Sequence, residues 1–193
     1  MKKDQQWVVT RIDRKIASVC ADFRHLPGIA ANVNKLPAGS VNEITVGKVG
    51  MDELADLAAS TRWEDLRLFG TPFQLKVWRR LYLLTHHEDG TPILPDEGIT
   101  LLSYSQLAAL CDNPRGVRAV AHAVASNPVA YIIPCHLIVP KEAIDKILAI
   151  RTVAQGTIFK GTDLYLLNSI EVGEYEYGSA LKRRVIERQL YCR

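Results

Sequence analysis

Apolar residues recur at helical spacing near the start of the chain. Ile12, Ile16, Val19, Cys20 and Phe23 follow Thr10, a residue suited to a helix N-cap, and this spacing predicts an amphipathic helix over about residues 11–25 with Cys20 in its core face. Leu26-Pro27-Gly28 ends that helix, Pro37-Ala38-Gly39-Ser40 marks a loop, and Glu43-Ile44-Thr45-Val46 has the makings of one short strand. Met51, Leu54, Leu57 and Ala58 predict a second, shorter helix.

The pattern sharpens from Gly70 onward. Thr71-Pro72-Phe73-Gln74 reads as a capping box with proline at the first helical position, and Phe73, Val77, Trp78, Leu81 and Leu84 form the buried stripe behind it. A polar loop, His86-His87-Glu88-Asp89-Gly90, precedes a second capping box, Ser103-Tyr104-Ser105-Gln106, whose helix buries Leu107, Ala108 and Leu110. After the tight turn Cys111-Asp112-Asn113-Pro114, a third helix is predicted from Pro114 to about Ser126. It buries Val117, Val120 and Val124, and it sets Arg115, Arg118 and His122 on another face. Two short helices joined by a few turn residues, the second basic and alanine-rich, outline a helix-turn-helix in which Ala119 and Ala121 allow close approach to a duplex. Residues 143–172 are apolar in patches, read as a helix followed by a short hairpin. Ser179 caps a last helix with Leu181, Val185, Ile186 and Leu190 inward and Lys182, Arg183, Arg184 and Arg188 on a solvated face.

With 193 residues, 48% of them hydrophobic and 23% charged, the chain supports one main domain with a small companion. A net charge of +3 neither demands nor excludes nucleic acid, so the placement of the basic residues decides. The four cysteines are scattered without metal-ligand spacing, and no apolar run of membrane length or signal core is present. These features predict free thiols in a cytoplasmic protein with no metal and no membrane association.

The candidate chemistry sits at Ile133-Pro134-Cys135-His136, which closes the apolar run Ala130-Tyr131-Ile132-Ile133. A thiol shielded by hydrophobic neighbours and followed by an imidazole suits a nucleophile that must ionise on demand yet escape stray oxidants. Taken alone, Pro-Cys-His is equally a buried structural thiol. Arg118 taken alone is a solvated helix residue, Tyr104 a packing residue, and Tyr175 part of an exposed strand. Gln189 reads as a surface helix position and His86-His87 as a loop.

In order along the chain, Gly70-Thr71-Pro72-Phe73-Gln74 to Trp78, Ser103-Tyr104, Arg118-Ala119-Val120, Asn127-Pro128 and Pro134-Cys135-His136 resemble the O6-alkylguanine-DNA alkyltransferases, also called methylated-DNA-protein cysteine methyltransferases. The similarity covers about residues 69–139 and resumes near 173–190. It implies a mainly α fold with small β elements, a winged-helix-like helix-turn-helix alkyltransferase domain over 67–193 with inserts near 85–100 and 143–172, and a partly helical N-terminal extension over 1–66. It also implies a monomer that repairs double-stranded DNA carrying O6-alkylguanine by one irreversible alkyl transfer to Cys135, without a cofactor.

The same resemblance implies roles for individual residues. His136 draws the thiol proton off through a bridging water, because neighbouring side chains on an extended segment point apart. Asn127 braces the cysteine turn, and Tyr175 donates a hydrogen bond to the leaving base. Tyr104 presses on the rotating phosphate, Arg118 fills the space vacated in the duplex, and Ser103, Arg115 and Ala119 complete the DNA-binding set. The chain departs from the family at Leu137, where arginine is usual, and at Gln189, where an orienting carboxylate is usual. It also lacks any run of several strands in its first third. Tyr177 borders the implied pocket where glycine would leave more room. An alkyltransferase-like protein that binds lesions without transfer is the alternative supported by Leu137 and Gln189. A Cys135/His136 hydrolase lacks an oxyanion-hole glycine before the cysteine.

Overall fold

The computed structural model describes residues 5–23, 26–94, 99–155 and 167–191. These residues form a three-stranded sheet and seven α-helices. Strands β1 (Trp7–Ile12) and β2 (Lys15–Cys20) are followed by α1 (Leu26–Val33), β3 (Ile44–Val49), α2 (Met51–Ser60) and α3 (Pro72–Tyr82). Then come α4 (Tyr104–Leu110), α5 (Val117–Ala125), α6 (Lys141–Gln155) and α7 (Ser179–Tyr191). The architecture is mainly helical with a small antiparallel sheet ordered β2-β1-β3.

The helix expected over residues 11–25 is instead a hairpin, and the partly helical extension carries a sheet. The turn is Asp13-Arg14, both residues left-handed with φ of 49° and 70°, a geometry that matches the twist of the flanking strands but is usually advertised by glycine. Asp13 secures the turn by accepting from the backbone N–H groups of Asn42 and Glu43 and by pairing with Arg67 at 3.0 Å. The sheet is covered on both sides. Trp7, Val9 and Val19 join the main core, while Ile12 and Ala17 pack with Ile29 of α1. Two buried faces erase the period-2 alternation, and the remaining apolar spacing imitates a helix. The strand expected at Glu43–Val46 is present as β3, and the helix expected after Met51 is α2.

Both predicted capping boxes form. The Thr71 hydroxyl accepts from Gln74 N–H while the Gln74 amide accepts from Thr71 N–H, and Ser103 and Gln106 do the same for α4. The third helix begins later than expected, at Val117, because Cys111–Gly116 form turns, and Arg115 therefore lies in the connection before α5 rather than on its face. Packing of α3 on α5 is fixed by Trp78, whose indole N–H donates to the Ala123 carbonyl at 2.7 Å. A Cβ at Gly70 would lie 2.6 Å from the Trp78 ring, so glycine is required where the chain enters α3.

Two cores meet at the cysteine segment. Cys135 belongs to the main core with the sheet and α3–α5, whereas Leu137 packs in a second core with Val139, Ala143 and Ile147 of α6 and Ile186 of α7. The hairpin expected toward residue 172 falls mostly on residues 156–166, outside the described residues. Among the described residues no helix is long and apolar enough to cross a membrane.

Removal of the first cap (Thr71→Ala) is expected to lower stability by about 1 kcal/mol in urea unfolding with an unchanged m-value. An unchanged midpoint would show that the box does not hold α3.

Candidate active site

Asn127 holds the turn that presents Cys135. Its amide N–H donates to the Ile133 carbonyl at 2.8 Å and its carbonyl accepts from Val129 N–H at 3.0 Å, closing the loop between the end of α5 and the cysteine. The same loop is stitched to β2, with Val19 N–H donating to Pro128 O and Ala130 N–H donating to Val19 O, both at 2.9 Å. Tyr131 adopts a left-handed backbone with φ of 72°, uncommon for an aromatic residue, and its ring stacks on His136 with centroids 5.5 Å apart. Cys135–Leu137 form one turn of 3-10 helix rather than the extended segment expected.

Burial dominates the chemistry. It pushes the Cys135 thiol above its ordinary range, against which the Asn127 hydrogen bond and the positive charge of Lys182 act. It lowers His136 to about 4, opposed by the hydrogen bond that His136 donates to Gln189, so the imidazole is neutral at physiological pH. His136 Nε2 lies 2.7 Å from Gln189 Oε1. An amide oxygen only accepts, hence Nε2 carries the hydrogen and Nδ1 is a lone-pair acceptor with no partner among the described residues. Gln189, half-buried on α7, is therefore joined to the imidazole and not merely a surface helix position.

Lys182 corrects the reading of a solvated basic face. It is fully buried on α7, and its ammonium donates to the Ile138 carbonyl at 2.7 Å and the Glu174 carbonyl at 3.3 Å. Burial brings it down to about 8, while the charges of Cys135 and Glu171 favour its protonated form. The sequence pattern missed it because both partners are backbone carbonyls delivered by other segments.

A cleft of about 710 Å³ opens over the thiol. Its lining includes Tyr104 at the start of α4, Ala121 and Val124 of α5, Asn127, Ala130 and Cys135, and the segment Gly173–Ser179 with Tyr175 and Tyr177. Tyr175 faces the Cys135 sulfur, and burial raises its phenol well above the ordinary value, so it keeps its proton. Burial also raises Tyr104. Gly173 allows the wall to close. It has φ of 77°, and a Cβ there would sit 3.2 Å from Pro140 Cδ.

The structure therefore brings Cys135, His136, Gln189, Asn127, Tyr175 and Tyr104 together. Arg118 and Ala119 are exposed on α5, outside the cleft lining, and Arg115 is exposed in the preceding turn. The Ser103 hydroxyl is occupied in the α4 cap and the residue is buried. Leu137 is fully buried, so packing stands in place of a charge contact.

A buried cysteine followed by a buried imidazole thus lies under an aromatic cleft to which α4 and α5 both contribute. Residues 98–146 match the model of the 6-O-methylguanine DNA methyltransferase DNA-binding domain. A probable methylated-DNA--protein-cysteine methyltransferase of Acanthamoeba polyphaga mimivirus is 43% identical over 77 residues, covering 40% of this chain and 44% of that protein. The Haemophilus influenzae methylated-DNA--protein-cysteine methyltransferase is 40% identical over 73 residues, covering 38% of this chain and 34% of that one. The chain thus spans less than half the length of these curated relatives. It shares the fold of the O6-methylguanine-DNA methyltransferase from Pyrococcus kodakaraensis, with a TM-score of 0.55, 17% identity, and coverage of 98% of this chain and 94% of that one. The chain resembles the alkyltransferases over residues 98–146 and in its fold.

A histidine held neutral by burial makes the protein acid-sensitive. Between pH 6.5 and about 4 the unfolded chain binds a proton that folded His136 refuses, so stability falls as pH falls through that window, by on the order of 3 kcal/mol from this group. His86, also lowered by burial, acts in the same direction. His136→Asn is expected to flatten the loss measured by urea unfolding at stepped pH, and parallel curves for the two proteins would contradict a buried neutral imidazole.

Proposed function

We propose that this protein repairs alkylated DNA by a single transfer of an alkyl group from O6 of guanine to Cys135. The observation that carries the reading is the cleft itself, in which the buried sulfur shares one lining with Tyr104 of α4 and the small residues of α5. In this reading α4 and α5 form a helix-turn-helix, 67–193 is the catalytic domain and 1–66 is its extension. The protein works as a cytoplasmic monomer on double-stranded DNA.

The lesion must leave the base stack, since a sulfur atom this deeply buried cannot reach into an intact duplex. Exposed Arg118 fills the gap left by the flipped nucleotide, Tyr104 turns the phosphate, and Arg115 and Ala119 meet the backbone. The thiolate then attacks the alkyl carbon. A carbon–sulfur bond forms, the carbon–O6 bond breaks, and its electron pair stays on guanine. Net, the thiol proton passes to the leaving base. Tyr175, whose phenol stays protonated, donates a hydrogen bond to the developing guanine anion. His136 Nδ1 offers the acceptor for the thiol proton, and Lys182 supplies the positive charge that favours the thiolate. The thioether that remains ends the protein's working life.

Incubation with duplex O6-methylguanine is expected to place one methyl group on Cys135 by peptide mapping, and Cys135→Ser is expected to abolish transfer. Tight lesion binding with an unmodified Cys135 would favour the lesion-binding alternative. Arg118→Ala is expected to slow repair of duplex substrate by about 10-fold or more while sparing reaction with free O6-methylguanine base. Equal slowing of both would remove Arg118 from the flipping step. Because Gln189 offers no charge, Gln189→Glu is expected to lower the thiol pKa read from pH-dependent alkylation of Cys135, and an unmoved profile would detach Gln189 from the nucleophile.

A further inference from the structure

The chain turns at Tyr131 on its way to the cysteine, with Ile133 N–H donating to Val129 O at 3.0 Å, and an aromatic residue makes the turn. Its φ of 72° lies in the left-handed region, where glycine is free of strain and a large side chain is not. The ring carried by this conformation is buried. It lies nearly parallel to the His136 imidazole, with centroids 5.5 Å apart and planes inclined by 18°. Tyr131 is absent from the lining of the cleft over Cys135, so its ring meets the histidine and not the space a base would enter.

Gln189 leaves that imidazole short of charge. His136 is fully buried, its Nε2–H donates to the Gln189 oxygen, and Nδ1 has no partner among the described residues. When Nδ1 takes the thiol proton, the S–H bond breaks with its electron pair on sulfur, an N–H bond forms and the ring becomes a cation. Burial opposes that cation, and so does the ammonium of Lys182. The polar and charged groups that act on the imidazole are thus Gln189 and Lys182, both from α7, and neither is an anion. An aromatic face carries the negative side of the ring quadrupole and attracts a cation within about 6 Å of its centroid. We propose that Tyr131 is a positioning residue whose ring face fixes the plane of His136 and stabilises the imidazolium formed as Cys135 gives up its proton, a contribution that the Gln189 amide does not make. This inference rests on the alkyl-transfer reading and adds how its nucleophile is activated without a carboxylate.

The test replaces Tyr131 with leucine, with phenylalanine and with mono-, di- and pentafluorophenylalanine, which keep the shape of the ring while draining negative charge from its face. Two rates are read. One is alkylation of Cys135 by iodoacetamide across pH, in which the S–C bond forms and the C–I bond breaks with its electron pair on the leaving iodide. The other is methyl transfer from O6-methylguanine in duplex DNA, in which the C–O6 bond breaks with its pair on guanine. Tyr131→Phe is expected to keep the wild-type rates. Both rates are expected to fall stepwise with fluorination, by about 5-fold or more from phenylalanine to pentafluorophenylalanine, as a cation over an aromatic face requires. The pH at which the thiol becomes reactive should rise in step, and Tyr131→Leu should match the most fluorinated ring. In a His136→Asn background the iodoacetamide series is expected to be flat, because the ring acts through the histidine. A flat series with the histidine present overturns the proposal, and so does an equal slope with and without it. A loss in Tyr131→Phe as large as in Tyr131→Leu overturns it as well, since the hydroxyl and not the ring face would then carry the effect. Graded iodoacetamide rates with no methyl transfer from DNA keep the role of Tyr131 at the thiol and sink the repair function. Methyl transfer at one rate throughout the series leaves the repair function standing and removes Tyr131 from it.

Discussion

Desolvation of one short turn governs this protein. Placing Cys135 and His136 where two cores meet raises the thiol and lowers the imidazole, so burial by itself keeps both groups neutral. Every polar contact around the turn acts against that tendency or exploits it. Asn127 and the charge of Lys182 favour the thiolate, while Gln189 orients a neutral imidazole without asking it to carry charge. The thiol is thus kept protonated. In the proposed reaction, a planar base entering the cleft would exclude water further and strengthen each of these electrostatic contacts.

A turn so dependent on its surroundings has to be held from several directions. Asn127 closes it from within, β2 pairs with the strand-like segment Pro128–Ala130, and Leu137 anchors its far end in the α6–α7 core. Left-handed Tyr131 allows the chain to reverse and lays a ring against His136. The sheet is therefore more than a companion to the helices around the cleft. Its backbone holds one side of the cysteine loop, and its Trp7 backs the aromatic wall of the cleft.

Local signals were legible in the chain, and long-range ones were not. The capping boxes at Thr71 and Ser103 involve residues three apart, so each carries its own evidence, and the helices behind them appear where expected. The Asn127 brace and the cleft position of Tyr175 were expectations of the family resemblance, and nothing in the local pattern around either residue announced them. The hairpin escaped because Asp13-Arg14 makes its turn without glycine and because both faces of the sheet are covered. Lys182 escaped for a related reason. Its neighbours Arg183 and Arg184 suggested a charged stripe, yet Val185 and Ile186 beside them are buried, and Ile138 and Glu174 supply the carbonyls that make a buried ammonium tolerable.

The exchange of a carboxylate for Gln189 is consistent with the charges around it. Lys182 is a buried cation satisfied by carbonyl dipoles, and in the proposed reaction the Cys135 thiolate would be its counter-charge. A carboxylate beside His136 would stabilise an imidazolium by charge and so favour the thiolate through the histidine, a contribution that an amide does not make. An amide supplies the hydrogen bond that fixes the imidazole tautomer and leaves Nδ1 free to accept, at no cost in buried charge. In the proposed mechanism thiolate stabilisation therefore rests on Lys182, with the imidazole as an oriented acceptor and the lysine as the charge.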